Sequence, residues 1–135
     1  MTYRLSQRSL NNLQGVHPDL VEVVKRAIEI TPQDFFCGEG LRSVDRQKRL
    51  VASGVSQTMN SRHLTGHAVD LHPHPYKGDH DGDGVPNSDD WDAYEPIVAT
   101  MRAVAKDMGI EITHGWDWGW DAPHHELDWE HYPND

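Results

Sequence analysis

Ser61-Arg62-His63-Leu64-Thr65-Gly66-His67-Ala68-Val69-Asp70 is the stretch on which the fold turns. Its Thr-Gly pair predicts a tight turn, and Ala68, Val69 and Leu71 predict a central strand over residues 66–72. Such a turn brings His63 and Asp70 to one point. Ala68, Asp70 and His72 share one face of the strand, because successive side chains alternate. Near the C-terminus, Asp121-Ala122-Pro123-His124-His125-Glu126-Leu127 leads into a neighbouring strand over residues 124–128 and brings two further imidazoles. Strand neighbours point to opposite faces, so only one of His124 and His125 can join His63 and Asp70. Two imidazoles and a carboxylate suit one zinc ion. Three protein ligands leave a fourth tetrahedral position for water, as in a catalytic site rather than a closed structural one. Asp121 stands just ahead of the last ligand, where a carboxylate can activate that water for hydrolysis.

The remaining pattern frames this centre. Leu20, Val23, Val24, Ala27 and Ile28 fall on one face of a helix over 18–29, with Pro18 and Asp19 in its first turn. A shorter helix is expected around 6–13 and a short strand over 34–37. Ser43 reads as the N-cap of a helix over 44–53 that Gly54 closes. Tyr94, Ile97, Met101, Val104 and Met108 mark a helix over 93–108 stopped by Gly109, with Pro96 tolerated in its first turn. Residues 110–113 read as a further strand, and 72–91 as loop. The expectation is one compact α+β domain over residues 1–135, with a small, mostly antiparallel sheet flanked by about three helices and an acidic loop insertion.

Composition narrows the function. In 135 residues, 36% are hydrophobic and 8% aromatic, so the core is real but modest, and a bound metal suits such a fold. The single cysteine, Cys37, excludes an internal disulfide and, beside Phe35 and Phe36, reads as a buried structural thiol. The first residues lack the apolar core of a secretory signal, and no apolar run is long enough to span a membrane. A net charge of −10 repels nucleic acid and anionic membranes alike.

Ser61-x-His63-x-x-Gly66-x-Ala68-x-Asp70, paired with Asp121-x-x-His124-x-Glu126-Leu127, resembles the zinc peptidases that act on peptidoglycan. These include D-alanyl-D-alanine carboxypeptidases and dipeptidases, and phage endolysins that cut the L-alanyl–D-glutamate bond. The resemblance runs over roughly residues 17–128, with support from Gly40-Leu41-Arg42-Ser43 and Gly109-Ile110-Glu111-Ile112. It implies His63, Asp70 and His124 as zinc ligands, selecting His124 over His125. It also implies Asp121 as general base and acid, and Arg42 as the group that polarises the substrate carbonyl or holds the oxyanion. Asp rather than Glu at position 121 places the chain nearer the endolysins. Ser61, Trp118 and Trp120 are the candidate substrate contacts. The implied partner is bacterial peptidoglycan. The implied life of the protein is synthesis as a monomer in the cytoplasm of an infected bacterium, then action on the wall after release. A D-alanyl-D-alanine carboxypeptidase or dipeptidase is the nearest rival. A non-catalytic zinc or calcium binding module is the rival from another class, disfavoured because a structural site needs neither Asp121 nor Arg42.

Plainer readings stand beside these. His17, His80 and His131 sit in polar contexts suited to the surface, and His72 and His74 flank Pro73 where they could add metal affinity. His67 is open as a substrate contact, and Glu126 as a carboxylate that orients a histidine. Trp116, Trp118 and Trp120 alternate as a strand does, packing the core or walling a cleft. Between the strand and the last helix, Asp79-His80-Asp81-Gly82-Asp83-Gly84-Val85-Pro86-Asn87-Ser88-Asp89-Asp90 follows the calcium-loop pattern. Its oxygen ligands would be Asp79, Asp81, Asp83, the Val85 carbonyl, Asn87 and Asp90. Asp at the last position and the absence of an entering helix set it apart from an EF-hand.

Overall fold

The computed structural model describes residues 2–54, 61–74, 92–119 and 121–133. Four helices occur among them: α1 (Gln7–Asn12), α2 (Pro18–Ile30), α3 (Val44–Ala52) and α4 (Glu95–Met108). Four strands, β1 (Phe35–Glu39), β2 (Ala68–Pro73), β3 (Ile112–His114) and β4 (His124–Leu127), form one sheet. Its order is β1-β2-β4-β3, and the described pairings are antiparallel. The α+β expectation holds. No helix among the described residues is long and apolar enough to cross a membrane.

Alternation divides the sheet into two chemically different faces. Phe35 and Cys37 of β1, Val69 and Leu71 of β2 and Leu127 of β4 meet Leu20, Val23, Val24, Ala27 and Ile28 of α2. Ile97, Met101 and Val104 of α4 close the same core. Burying each large aliphatic side chain contributes about 1.5–3 kcal/mol, so the α2 stripe is a principal anchor. Burial pushes the Cys37 thiol up to about 12, which makes it inert. The opposite faces of β2 and β4 carry Asp70, His72, His124 and Glu126, away from the apolar core.

Local chemistry sets the element ends. The Ser43 hydroxyl accepts the Arg46 N–H at 3.1 Å and starts α3, while Gly109 stops α4 in the left-handed region. Several boundaries differ from the sequence reading, and β1, expected over 34–37, runs on to Glu39. Residue 66 is not strand: a 3-10 turn, Arg62–Thr65, is closed by Gly66 at φ 77°. A Cβ there would lie 2.4 Å from the Gly15 carbonyl oxygen, so glycine is required both by conformation and by space. The third strand is shifted to Ile112–His114, and α4 begins at Glu95. Trp116 and Trp118 do not continue the strand; Gly115–Trp118 forms a second 3-10 turn, tied to α4 by the Arg102–Asp117 ion pair. Trp120 and the whole predicted calcium loop (Asp79, Asp81, Asp83, Val85, Asn87 and Asp90) lie outside the described residues.

Candidate active site

Three elements deliver three ligand atoms to one place. His63 comes from the 3-10 turn, Asp70 from the middle of β2, and His124 from the start of β4, where it is the register partner of Asp70. His63 Nε2 lies 3.2 Å and His124 Nδ1 3.3 Å from Asp70 Oδ1, and the three ligand atoms all fall within 4.8 Å of one another. Ligands at about 2.0–2.1 Å around a tetrahedral zinc ion stand about 3.3 Å apart, so the spacing fits.

Tautomers strengthen the fit. His63 Nδ1 donates to the Gly40 carbonyl at 2.8 Å, which turns Nε2 and its lone pair toward Asp70. His124 Nε2 faces Glu126 Oε1 at 2.7 Å while Nδ1 faces Asp70, so carboxylates meet both ring nitrogens. Such a ring must carry two protons or exchange one of them for a metal cation. Burial opposes its charge, but Asp70 and Glu126 prevail and push His124 up to about 9. Burial would likewise raise Asp70, yet its bonds to His124 and His63 hold it well below the carboxylate range. A carboxylate–histidine–metal arrangement is the standard way to fix a ligand ring. These residues can hold a divalent ion.

Asp121 lies on the turn into β4, where its carbonyl accepts the His124 N–H at 3.1 Å. Burial pushes its carboxyl up to about 6, moderated by the nearby His124, His63 and Arg42 and reinforced by Asp70. Arg42 follows β1, and its backbone N–H binds the His63 carbonyl at 2.8 Å. Its guanidinium is caged: Nε and Nη2 donate to Glu39 at 2.7 and 2.9 Å, and Nη1 donates to Gln47 at 2.8 Å. Nη2 also stands 4.0 Å from Asp70 Oδ2. Glu39 is placed by a β-bulge between Cys37 and Glu39. Burial favours its neutral form, but Arg42 and Arg46 bring its carboxyl down to about 2.

The other predicted residues fall as follows. Ser61 caps the 3-10 turn, its hydroxyl accepting the His63 N–H at 3.2 Å. Trp118 is 40% exposed and its ring lies 5.3 Å from that of His124, on the rim of the site. His125 turns to the other face and bonds His114 at 2.8 Å inside the sheet. His67 bonds Thr65 and packs near His17, outside the trio. His72 bonds the Tyr94 hydroxyl at 2.8 Å. Sequence reasoning missed Glu39, Gln47 and Trp129. Only the short spacing from Arg42 to Glu39 and Gln47 carried a local signal.

A buried carboxyl, a caged guanidinium and a His-Asp-His trio on a small α+β domain belong here to a peptidase that acts on peptidoglycan. The model of the phage L-alanyl-D-glutamate peptidase family matches residues 1–132, and the chain belongs to that family. It is 29% identical over 132 residues to the L-alanyl-D-glutamate peptidase of Escherichia phage T5, covering 93% of this chain and 89% of that protein. The crystal structure of the L-Ala D-Glu endopeptidase ChiX of Serratia marcescens superposes with a TM-score of 0.82. There the identity is 42%, with 96% of this chain and 93% of the other covered.

Proposed function

We propose that the chain hydrolyses the L-alanyl–D-glutamate bond of the peptidoglycan stem peptide with a zinc ion held by His63, Asp70 and His124. The observation that carries this reading is the convergence of those three donors beside Asp121 and Arg42. The bond is the one named for the phage T5 and Serratia marcescens proteins. When bound, zinc supplies Lewis acidity, making water a nucleophile near neutral pH. Asp121 takes the proton from the attacking water and returns it to the departing D-glutamate amine. A carboxyl at about 6 is well matched to both tasks at neutral pH. Arg42, oriented by Glu39 and Gln47, holds the negative charge that develops on the carbonyl oxygen. Ser61, Trp118 and Trp120 serve as substrate contacts, with Trp118 on the rim of the site.

The same proposal extends to the acidic insertion. Asp79, Asp81, Asp83, the Val85 carbonyl, Asn87 and Asp90 bind calcium, and the filled loop orders one side of the cleft. The protein acts as a monomer on the wall after release from the cytoplasm of an infected cell. The deciding experiment is mass spectrometry of purified peptidoglycan digested with and without a zinc chelator. Chelator-sensitive release of stem peptides beginning with D-glutamate is expected. Release of free D-alanine alone would instead assign the chain to the carboxypeptidase class.

A further inference from the structure

Beyond the predicted ligands, one contact chain runs from the metal trio to the C-terminal turn. Glu126 Oε1 faces His124 Nε2 at 2.7 Å, and its other oxygen, Oε2, accepts the indole N–H of Trp129 at 3.0 Å. Glu126 is buried, whereas Trp129 is 43% exposed and lies outside the hydrophobic core. Its ring is held from elsewhere: the Arg62 guanidinium carbon lies 4.2 Å from the ring centroid. Arg62, only 2% exposed, also donates to the carbonyls of Leu127 and Tyr132 at 2.8 and 2.6 Å, bracketing Trp129 in the chain. The Tyr132 N–H closes the turn on the Asp128 carbonyl at 2.9 Å, and the Tyr132 hydroxyl binds Asp19 of α2 at 2.7 Å.

We propose that Trp129 is a positioning residue for His124, acting through Glu126, and that Arg62 and the turn at 128–132 hold it in place. The inference rests on the metal reading above. A buried carboxylate with both oxygens engaged cannot rotate. It therefore presents a fixed acceptor to His124 Nε2, keeps the proton on that nitrogen and leaves Nδ1 directed at the metal position. Without the indole donor, Glu126 Oε2 is buried and unpaired, so the carboxylate reorients and the ring loses its brace.

The test compares wild type with Trp129→Phe, which keeps a ring over Arg62 but removes the N–H. Zinc affinity is read by competition with a chromophoric chelator, and geometry by the visible absorption of cobalt(II) in the same site. Partners of metal ligands typically change affinity by about 10–100-fold. One link further out, Trp129→Phe is expected to weaken zinc binding by about 3–10-fold and alter the cobalt spectrum. Glu126→Gln weakens it further, and adding Trp129→Phe to Glu126→Gln has little additional effect, the signature of two residues acting in series. Lys48→Ala, an exposed change on α3, leaves affinity intact. Unchanged zinc affinity in Trp129→Phe, full additivity with Glu126→Gln, or an equal loss in Lys48→Ala would overturn the proposal. A folded wild-type protein that takes up neither metal would overturn the metal reading along with it.

Discussion

Burial keeps a proton on Asp121 up to about pH 6, which suits the acid–base role proposed for it but costs folding energy once the group ionises. Its carboxyl is raised from 3.8, so its stabilising contribution is complete below that value and disappears as pH rises through about 6. Asp121→Asn is therefore expected to lower turnover by about 100–10,000-fold while making the metal-free protein more stable at pH 8 by about 2 kcal/mol. Peptidoglycan turnover and denaturant unfolding in chelator check the two halves. A variant that is active, or less stable than wild type under those conditions, contradicts the assignment. Glu39 acts on Arg42 in a different way, as an orienting anion. Glu39→Gln leaves the guanidinium in place but frees it to turn, and a loss of about 10-fold in kcat with little change in KM is expected. Arg46, which shares Glu39 but is half exposed, serves as the contrast: Arg46→Ala leaves kcat within about twofold.

At the scale of elements, the turns carry the precision and the helices carry the stability. Gly115 shows this most sharply. A Cβ added there would stand 2.1 Å from the Asp121 carbonyl oxygen and 3.0 Å from the Cβ atoms of both Asp121 and His124. Gly115→Ala must displace the segment that bears Asp121, at about 1–3 kcal/mol for overpacking, and activity should fall more than about 10-fold with it. Gly54→Ala is the control, since its Cβ would meet nothing within 4 Å although φ is 81°. It should cost about 1–2 kcal/mol of stability and no activity. Thermal unfolding and peptidoglycan assays on the pair separate clash from backbone strain. The same division explains what the sequence disclosed. The α2 stripe was legible because five apolar residues at helical spacing have no other use. His63 and Asp70 were legible because their spacing matches a turn and a strand, whereas His124 was separated from His125 only by the family resemblance. The tryptophan run misled because alternation with Gly and Asp imitates a strand, whereas Gly115 and the left-handed Gly119 shape a 3-10 turn. Arg62 and Trp129 were opaque for another reason: Arg62 binds a carbonyl 65 residues away, and nothing local encodes that pairing.

For the whole molecule, the division of the sheet into a core face and a chemical face predicts how stability follows pH. On the core side, His114 is lowered to about 4 and His125 well below its ordinary value, mainly by burial. Both stay neutral in the fold but charge in the unfolded chain, so stability falls as pH drops below about 6.5. On the chemical side the sign reverses. His124 is raised from 6.5 to about 9, so the stability it gives is complete below 6.5 and is lost as pH climbs through about 9. Asp121 contributes in the same direction at lower pH. A net charge of −10 adds repulsion on the alkaline side. The metal-free protein should accordingly be most stable between about pH 6 and 7 and decline on both sides. A cation at His63, Asp70 and His124 replaces the His124 proton, so zinc stabilises more as pH rises, by about 4 kcal/mol where free zinc is 1,000-fold above its dissociation constant. Melting curves from pH 5 to 9, in chelator and in excess zinc, check both statements. The two Tm profiles should diverge steadily above pH 6.5, with the zinc-loaded maximum displaced toward alkaline pH. Parallel profiles, or a chelated protein that keeps gaining stability up to pH 9, would mean that the His124 proton and the metal do not compete for one position.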